Sequence, residues 1–214
     1  MKWEVSKISI PVFDLEASIN FYNFILGNDI EKKVDDIPSL DEYFISGGDI
    51  ELRLYKLKNE LCKSHIIQSR KTFPTLAFND LNLIVKGLEK DNINYSFNKH
   101  NKSIILQEPG LNYIELINLE NSKKLLKRQE NNTWNFHHVN LECYDVRSSV
   151  NFISQYLKMK EGTWKAPIEL GKVNINSNQL AIFNIDENHS GIHINKADFT
   201  FSWRNNFIHN PTIG

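Results

Sequence analysis

The chain has few cysteines, almost no net charge and no long apolar run, and each shortage excludes something. Its 214 residues hold two cysteines, Cys62 and Cys143. Two isolated thiols make no disulfide framework and fit a reducing compartment. The net charge is −1, so no global field recruits nucleic acid or an anionic membrane surface. No stretch approaches the roughly 20 apolar residues of a membrane span. The first residues, MKWEVSKISIPVFD, lack the apolar core of a secretory signal. The expected setting is cytoplasmic, with neither a nucleic-acid nor a membrane partner. A basic cluster at Lys123, Lys124, Lys127 and Arg128 has no aromatic platform beside it and reads as a solvated face.

What is present is a 41% hydrophobic content, enough for a packed core, and a repeated local grammar. In His137–Cys143 the apolar Val139, Leu141 and Cys143 alternate with His138, Asn140 and Glu142, the period of a half-buried strand. Asp145 ends that strand and is placed to cap a helix. Val146, Val150, Ile153 and Leu157 recur at helical spacing along it, with Phe152 beside them. The apolar strand face and the apolar helix stripe must cover each other. His138, Asn140 and Glu142 then face a second compartment, where a ligand would sit. His137 falls on the opposite face and reads as structural.

The same strand, aspartate and helix occur at Asp14 and, more weakly, at Asp80. The three aspartates lie 66 and 65 residues apart, which marks an internal repeat. Unit one reads as strands Glu4–Val12, Glu31–Val34, Glu42–Ile45 and Asp49–Tyr55 around helix Asp14–Leu26, ended by Gly27. Unit two reads as Thr75–Phe78, helix Leu81–Lys90, Tyr95–Phe97, Ser103–Gln107 and Asn112–Ile117. Unit three adds Lys160–Thr163, Lys172–Asn176, Leu180–Asn184 and Gly191–Asn195 after its helix. Units one and two are βαβββ units, and unit three repeats that order with one further short strand after its helix.

Asp14-Leu15, Ser18, Phe21-Tyr22 and Leu26-Gly27 follow a pattern that resembles the vicinal oxygen chelate superfamily. So does the run Glu108-Pro109-Gly110-Leu111-Asn112-Tyr113-Ile114-Glu115-Leu116. That superfamily includes glyoxalase I, extradiol dioxygenases and bleomycin resistance proteins. The resemblance implies an α+β fold of repeated βαβββ modules, the first two paired into a cup-shaped mixed sheet around a divalent metal. The expected organisation is a first domain at 1–118 (modules 1–56 and 74–118), a linker at 119–133 and a second domain at 134–214. The second domain holds one module and an aromatic tail. The period places a fourth module's capping aspartate at about residue 210, so that module reads as missing.

The resemblance also implies ligand positions. The first-strand histidine position, seven residues before the aspartate, falls on Lys7, on Phe73 (or Thr75 with a shorter strand) and on His138. The closing-strand glutamate position falls on Glu51, Glu115 and His193. The first cup is then expected to hold Lys7, Glu51, Arg53 and Glu115. A charged ammonium has no free lone pair to replace an imidazole ligand, so this cup reads as degenerate and metal-free. In the third module the resemblance makes His138 a metal ligand and His193 a proton-shuttling catalytic residue. A structural histidine is the plainer alternative for His138. Asn140 and Glu142 are expected to bind ligand. The implied activity is extradiol ring cleavage of a small aromatic diol, with Fe(II) as the metal once a fourth module completes the site. A glyoxalase-like lyase or isomerase and a non-catalytic small-molecule binder are the alternatives. The third module, left unpaired, predicts a homodimer closed through its open sheet.

Overall fold

The computed structural model describes residues 3–27, 40–47, 50–57, 73–98, 103–109, 112–118, 134–162, 178, 180–186 and 189–196. The strands expected at 31–34 and 172–176, the linker at 119–133 with its basic cluster, the tail at 197–214, and Cys62 lie outside them; residues 160–162, the described part of the strand expected at Lys160–Thr163, form no strand. Among the described residues no helix is long and apolar enough to cross a membrane.

Three aspartates start three helices, as the repeat demands. Asp14 accepts from the Ala17 amide at 3.0 Å ahead of α1 (Leu15–Leu26). Asp80 accepts from Asn82 at 3.0 Å ahead of α2 (Leu81–Lys90). Asp145 accepts from Ser148 at 2.8 Å ahead of α3 (Val146–Tyr156). Each carboxylate satisfies an amide that the helix start leaves unpaired. Gly27 closes α1 at φ 65°, a left-handed turn that favours glycine.

The strands are β1 (Lys7–Pro11), β2 (Leu40–Gly47), β3 (Ile50–Leu57), β4 (Phe73–Phe78), β5 (Tyr95–Asn98), β6 (Ser103–Gln107), β7 (Tyr113–Asn118), β8 (Trp134–Cys143), β9 (Leu180–Asp186) and β10 (His189–Lys196). In every unit the first strand lies parallel to the closing one: β1 beside β3, β4 beside β7, β8 beside β10. The fold is α+β, with one seven-stranded mixed sheet in the order β5-β6-β7-β4-β8-β10-β9 and a three-stranded sheet in the order β1-β3-β2.

The pairing of units differs from the sequence expectation. β4 and β8 run antiparallel and join units two and three, while β1 stays in the separate three-stranded sheet. The reason lies in the strands' faces. Every residue of β4 is buried, the pattern of a central strand covered on both sides. Lys7 and Ser9 on β1 are exposed, as on a strand at a sheet edge. Among the described strands β4 therefore occupies the edge of β8 that was expected to stay unpaired and to close a homodimer.

Unit one still shares a core with the long sheet. Leu15, Phe21, Tyr22, Ile25 and Leu26 of α1 belong to the same buried cluster as Leu76, Phe78, Trp134 and Phe136. A buried polar latch fixes the contact. Glu108 accepts from the Ser18 hydroxyl at 2.7 Å and from the Asn112 amide and side chain at 3.0 and 2.7 Å. Asn112 Nδ2 also donates to the Pro11 carbonyl. Burial, and then the Glu108 charge, push the Tyr22 hydroxyl well above the usual tyrosine range. This gives Glu108 and Asn112 a structural role. α3 packs on β9 and β10 through Val146, Val150, Phe183 and Ile194. Phe152 and Leu157, expected near its apolar stripe, are 59% and 53% exposed. Arg147 clamps Glu161 with two 2.9 Å bonds, and the Glu161 bonding raises the arginine's pKa.

Candidate functional site

The buried face of β8 carries polar residues. His138 and Asn140 are buried there, while Val139, Leu141 and Cys143 on the helix-facing side are only half-buried; Trp134 and Phe136, also buried, pair with Phe78 and Leu76. Burying His138 and Asn140 is favourable only where partners satisfy them, and β4, β7 and β10 supply those partners. Thr75 donates to Glu115 Oε2 at 2.8 Å, and its Oγ1 lies 3.1 Å from His138 Nε2. Asn140 Nδ2 lies 3.1 Å from His138 Nε2 and 3.4 Å from Thr75 Oγ1. Asn195 Nδ2 donates to Asn140 Oδ1 at 3.3 Å. Thr75, Glu115, Asn140 and Asn195 are at most 5% exposed, and His138 is 8% exposed.

A β-bulge shapes the histidines. Thr75 lies opposite His138 but Leu76 lies opposite Phe136, so His137 is the extra residue of β8. Its Nδ1 comes within 2.8 Å of His138 Nδ1. His137 is thus part of the cluster, contrary to its expected placement on the far face. One nitrogen of that pair must lack a proton for the two to bond. The His193 ring stacks on His138 with centroids 3.8 Å apart and 20° between planes.

The pairing registers define a local twofold. Phe73 pairs with Asn140 and Thr75 with His138, so Phe73 and His138 are mates, as are Thr75 and Asn140. Glu115 lies opposite Thr75 and His193 opposite Asn140, which makes those two mates as well. In unit one the residue opposite Ser9, the counterpart of Thr75, is Arg53. Arg53, rather than Glu51, is therefore the counterpart of Glu115 and His193, and the assignment of Glu51 to that position is off by one pleat.

The expected site residues fall into two groups. His138, His193, Asn140 and Glu115 come together, with Glu142 one pleat further along β8, half-buried and opposite Asn195. Glu115 thereby leaves the first cup, to which the sequence reading assigned it. Lys7, Glu51 and Arg53 lie in the three-stranded sheet, where Lys7 pairs with Glu51 at 3.3 Å. The sequence reading missed Asn195 and named Thr75 only as an alternative. Asn195 shares parity with His193 two residues before it, the one signal that could have found it.

The residues present do not fit the divalent metal that the resemblance implies. Two imidazoles and a carboxylate are the donor types that hold Fe(II). Here Glu115 and His138 are both turned onto the Thr75 hydroxyl, and the mate of His138 is the buried ring of Phe73. Among the described residues no group of three His, Cys, Asp or Glu side chains is arranged to hold a metal ion.

No protein-family model matches the chain, and no curated protein matches it. Solved structures do. A candidate dioxygenase from Bacillus subtilis superposes with a TM-score of 0.61 at 11% identity, over 91% of this chain and 64% of its own. A glyoxalase I mutant from Zea mays superposes with a TM-score of 0.60 at 13% identity, over 94% of this chain and 71% of its own. The chain thus spans less than two thirds of the Bacillus protein. At these identities the likeness establishes the fold alone, one that this chain shares with both proteins.

Proposed function

We propose that the chain is a small-molecule-binding protein whose ligand sits in the cup between units two and three, against Thr75, Glu115, His138 and Asn140. One observation carries this. The β4–β8 pairing gathers a carboxylate, a hydroxyl, two carboxamides and stacked imidazoles onto one buried sheet face, where an apolar core would be more stable. A concave face with a few convergent polar groups is the usual form of a small-molecule site. The stacked rings of His138 and His193 suit a flat ligand, and the Thr75–His138 pair suits hydroxyl groups on its edge. A small aromatic diol has both. We place the protein in the cytoplasm, on the strength of its scattered cysteines. Self-association is proposed at the outer edge of β1, which has no neighbour among the described strands, whereas its counterparts β4 and β8 pair with each other.

Ring cleavage by a metal-dependent dioxygenase is the second reading. It is favoured by the fold shared with the Bacillus protein. Calorimetric titration with catechol, with metal content measured on the same sample, tests both readings. The first expects saturable binding that is lost in His138→Ala and independent of metal. If catechol leaves the His138 and His193 resonances unmoved, the cup is not a diol site. Stoichiometric metal with oxygen uptake on adding catechol would establish the second.

A further inference from the structure

We propose that in this cup a hydroxyl, in place of a metal ion, joins Glu115 to His138, and that Phe73 is the residue that keeps a metal out. The inference deepens the reading of the cup as the binding site and rests on it for the site's identity. Metal and catechol titrations are separate readouts, so either can fail alone.

A tightly held divalent ion needs at least three strong donors from the protein. The local twofold offers three pairs of positions. At the pair of first-strand positions, His138 offers an imidazole and Phe73, 3% exposed, offers an apolar ring with no lone pair. At the next pair, Thr75 and Asn140 offer a hydroxyl and a carboxamide. Both are weak ligands, and Thr75 has its proton directed at Glu115. At the closing-strand pair, His193 is stacked face-on against His138, so its ring plane runs alongside that of its neighbour. A single carboxylate and a single imidazole therefore point at the centre, and the Thr75 oxygen already stands between them at 2.8 and 3.1 Å. Those two bonds do for the buried carboxylate and imidazole what an ion would otherwise do: each gives a buried polar group a partner.

The test uses the full, tag-free chain dialysed against chelator. It is titrated with Zn²⁺, and with Fe²⁺ under anaerobic conditions, and followed by calorimetry and by the imidazole ¹⁵N shifts of His138. The wild type is expected to bind neither ion stoichiometrically and to keep its His138 signals in place. Phe73→His adds the missing imidazole and is expected to bind one Zn²⁺ per chain, on the order of tenfold or more tighter than wild type. The double variant Phe73→His/Glu115→Gln is expected to lose that gain. One equivalent of metal in the wild type that moves His138 overturns the proposal, as does a folded Phe73→His variant with no gain. Should Phe73→His fail to fold, the wild-type titration at His138 still decides: shifts that move overturn it, and shifts that stay support it.

Discussion

Units one and two share one local plan and reach opposite ends. Both run strand, capping aspartate, helix, and a closing strand parallel to the first. On the helix-covered face they match: Ile10 and Leu76, each four residues before its aspartate, are both buried. On the other face they part. Ser9 and Lys7 are exposed, and Lys7 meets Glu51 in a partly solvated pair. Thr75, at the place of Ser9, is fully buried and bonded to Glu115. What separates them is the neighbouring strand: β4 has β8 beside it, and β1 borders only β3 among the described strands. Strand pairing, not the local plan, turns a row of polar residues into a site.

Substitutions can break that comparison. Leu76→Ala and Ile10→Ala should each cost about 2–5 kcal/mol in denaturant unfolding, because the helix-covered face is alike in both units. A large difference between the two would show that unit one has a separate and weaker core. Thr75→Val comes next. It leaves Glu115 and His138 without their shared partner and should cost about 1–3 kcal/mol. Ser9→Ala, at the equivalent place, should stay within about 0.5 kcal/mol. Equal costs at these two positions would contradict the assignment of the buried cup to units two and three.

The helix caps test what the units have in common. Asp14→Ala, Asp80→Ala and Asp145→Ala should each lose about 0.5–2 kcal/mol, read as a shift in the unfolding midpoint. A cap with no effect would mean that its helix starts elsewhere. Smallest of all is Lys7→Gln. The Lys7 and Glu51 side chains are 43% and 24% exposed, so solvent screening leaves their pair about 0–1 kcal/mol, falling further in high salt. A salt-independent loss larger than that would mean that a partner covers β1.

The repeat itself was legible in the sequence. The aspartate spacing gave three helix starts, all of which cap as expected, and α2 and β6 have the bounds their patterns suggest. Which first strands pair was not legible, because alternation within a strand says which face is apolar and nothing about its neighbour. The one local hint was in β4, where Phe73, Leu76, Ala77 and Phe78 leave no polar side to face water. Once unit two was paired with unit one, Glu115 went to the wrong cup. Thr75 was named only as an alternative because a small hydroxyl looks ordinary until a carboxylate and an imidazole are seen on either side of it. His137 was misplaced because a bulge breaks the two-residue period on which facing was judged. Glu142 and Asn140 followed that period and were placed on the correct face.

The most direct test of the account is the neighbour of β4. In ¹³C- and ¹⁵N-labelled protein, interstrand proton contacts should link Thr75 to His138 and Ala77 to Asn135, the pairs that face one another across the β4–β8 ladder. Contacts from β4 to Lys7–Pro11, with none to β8, would contradict it: the cup would then belong to units one and two, and Glu115 and His138 would no longer share a site.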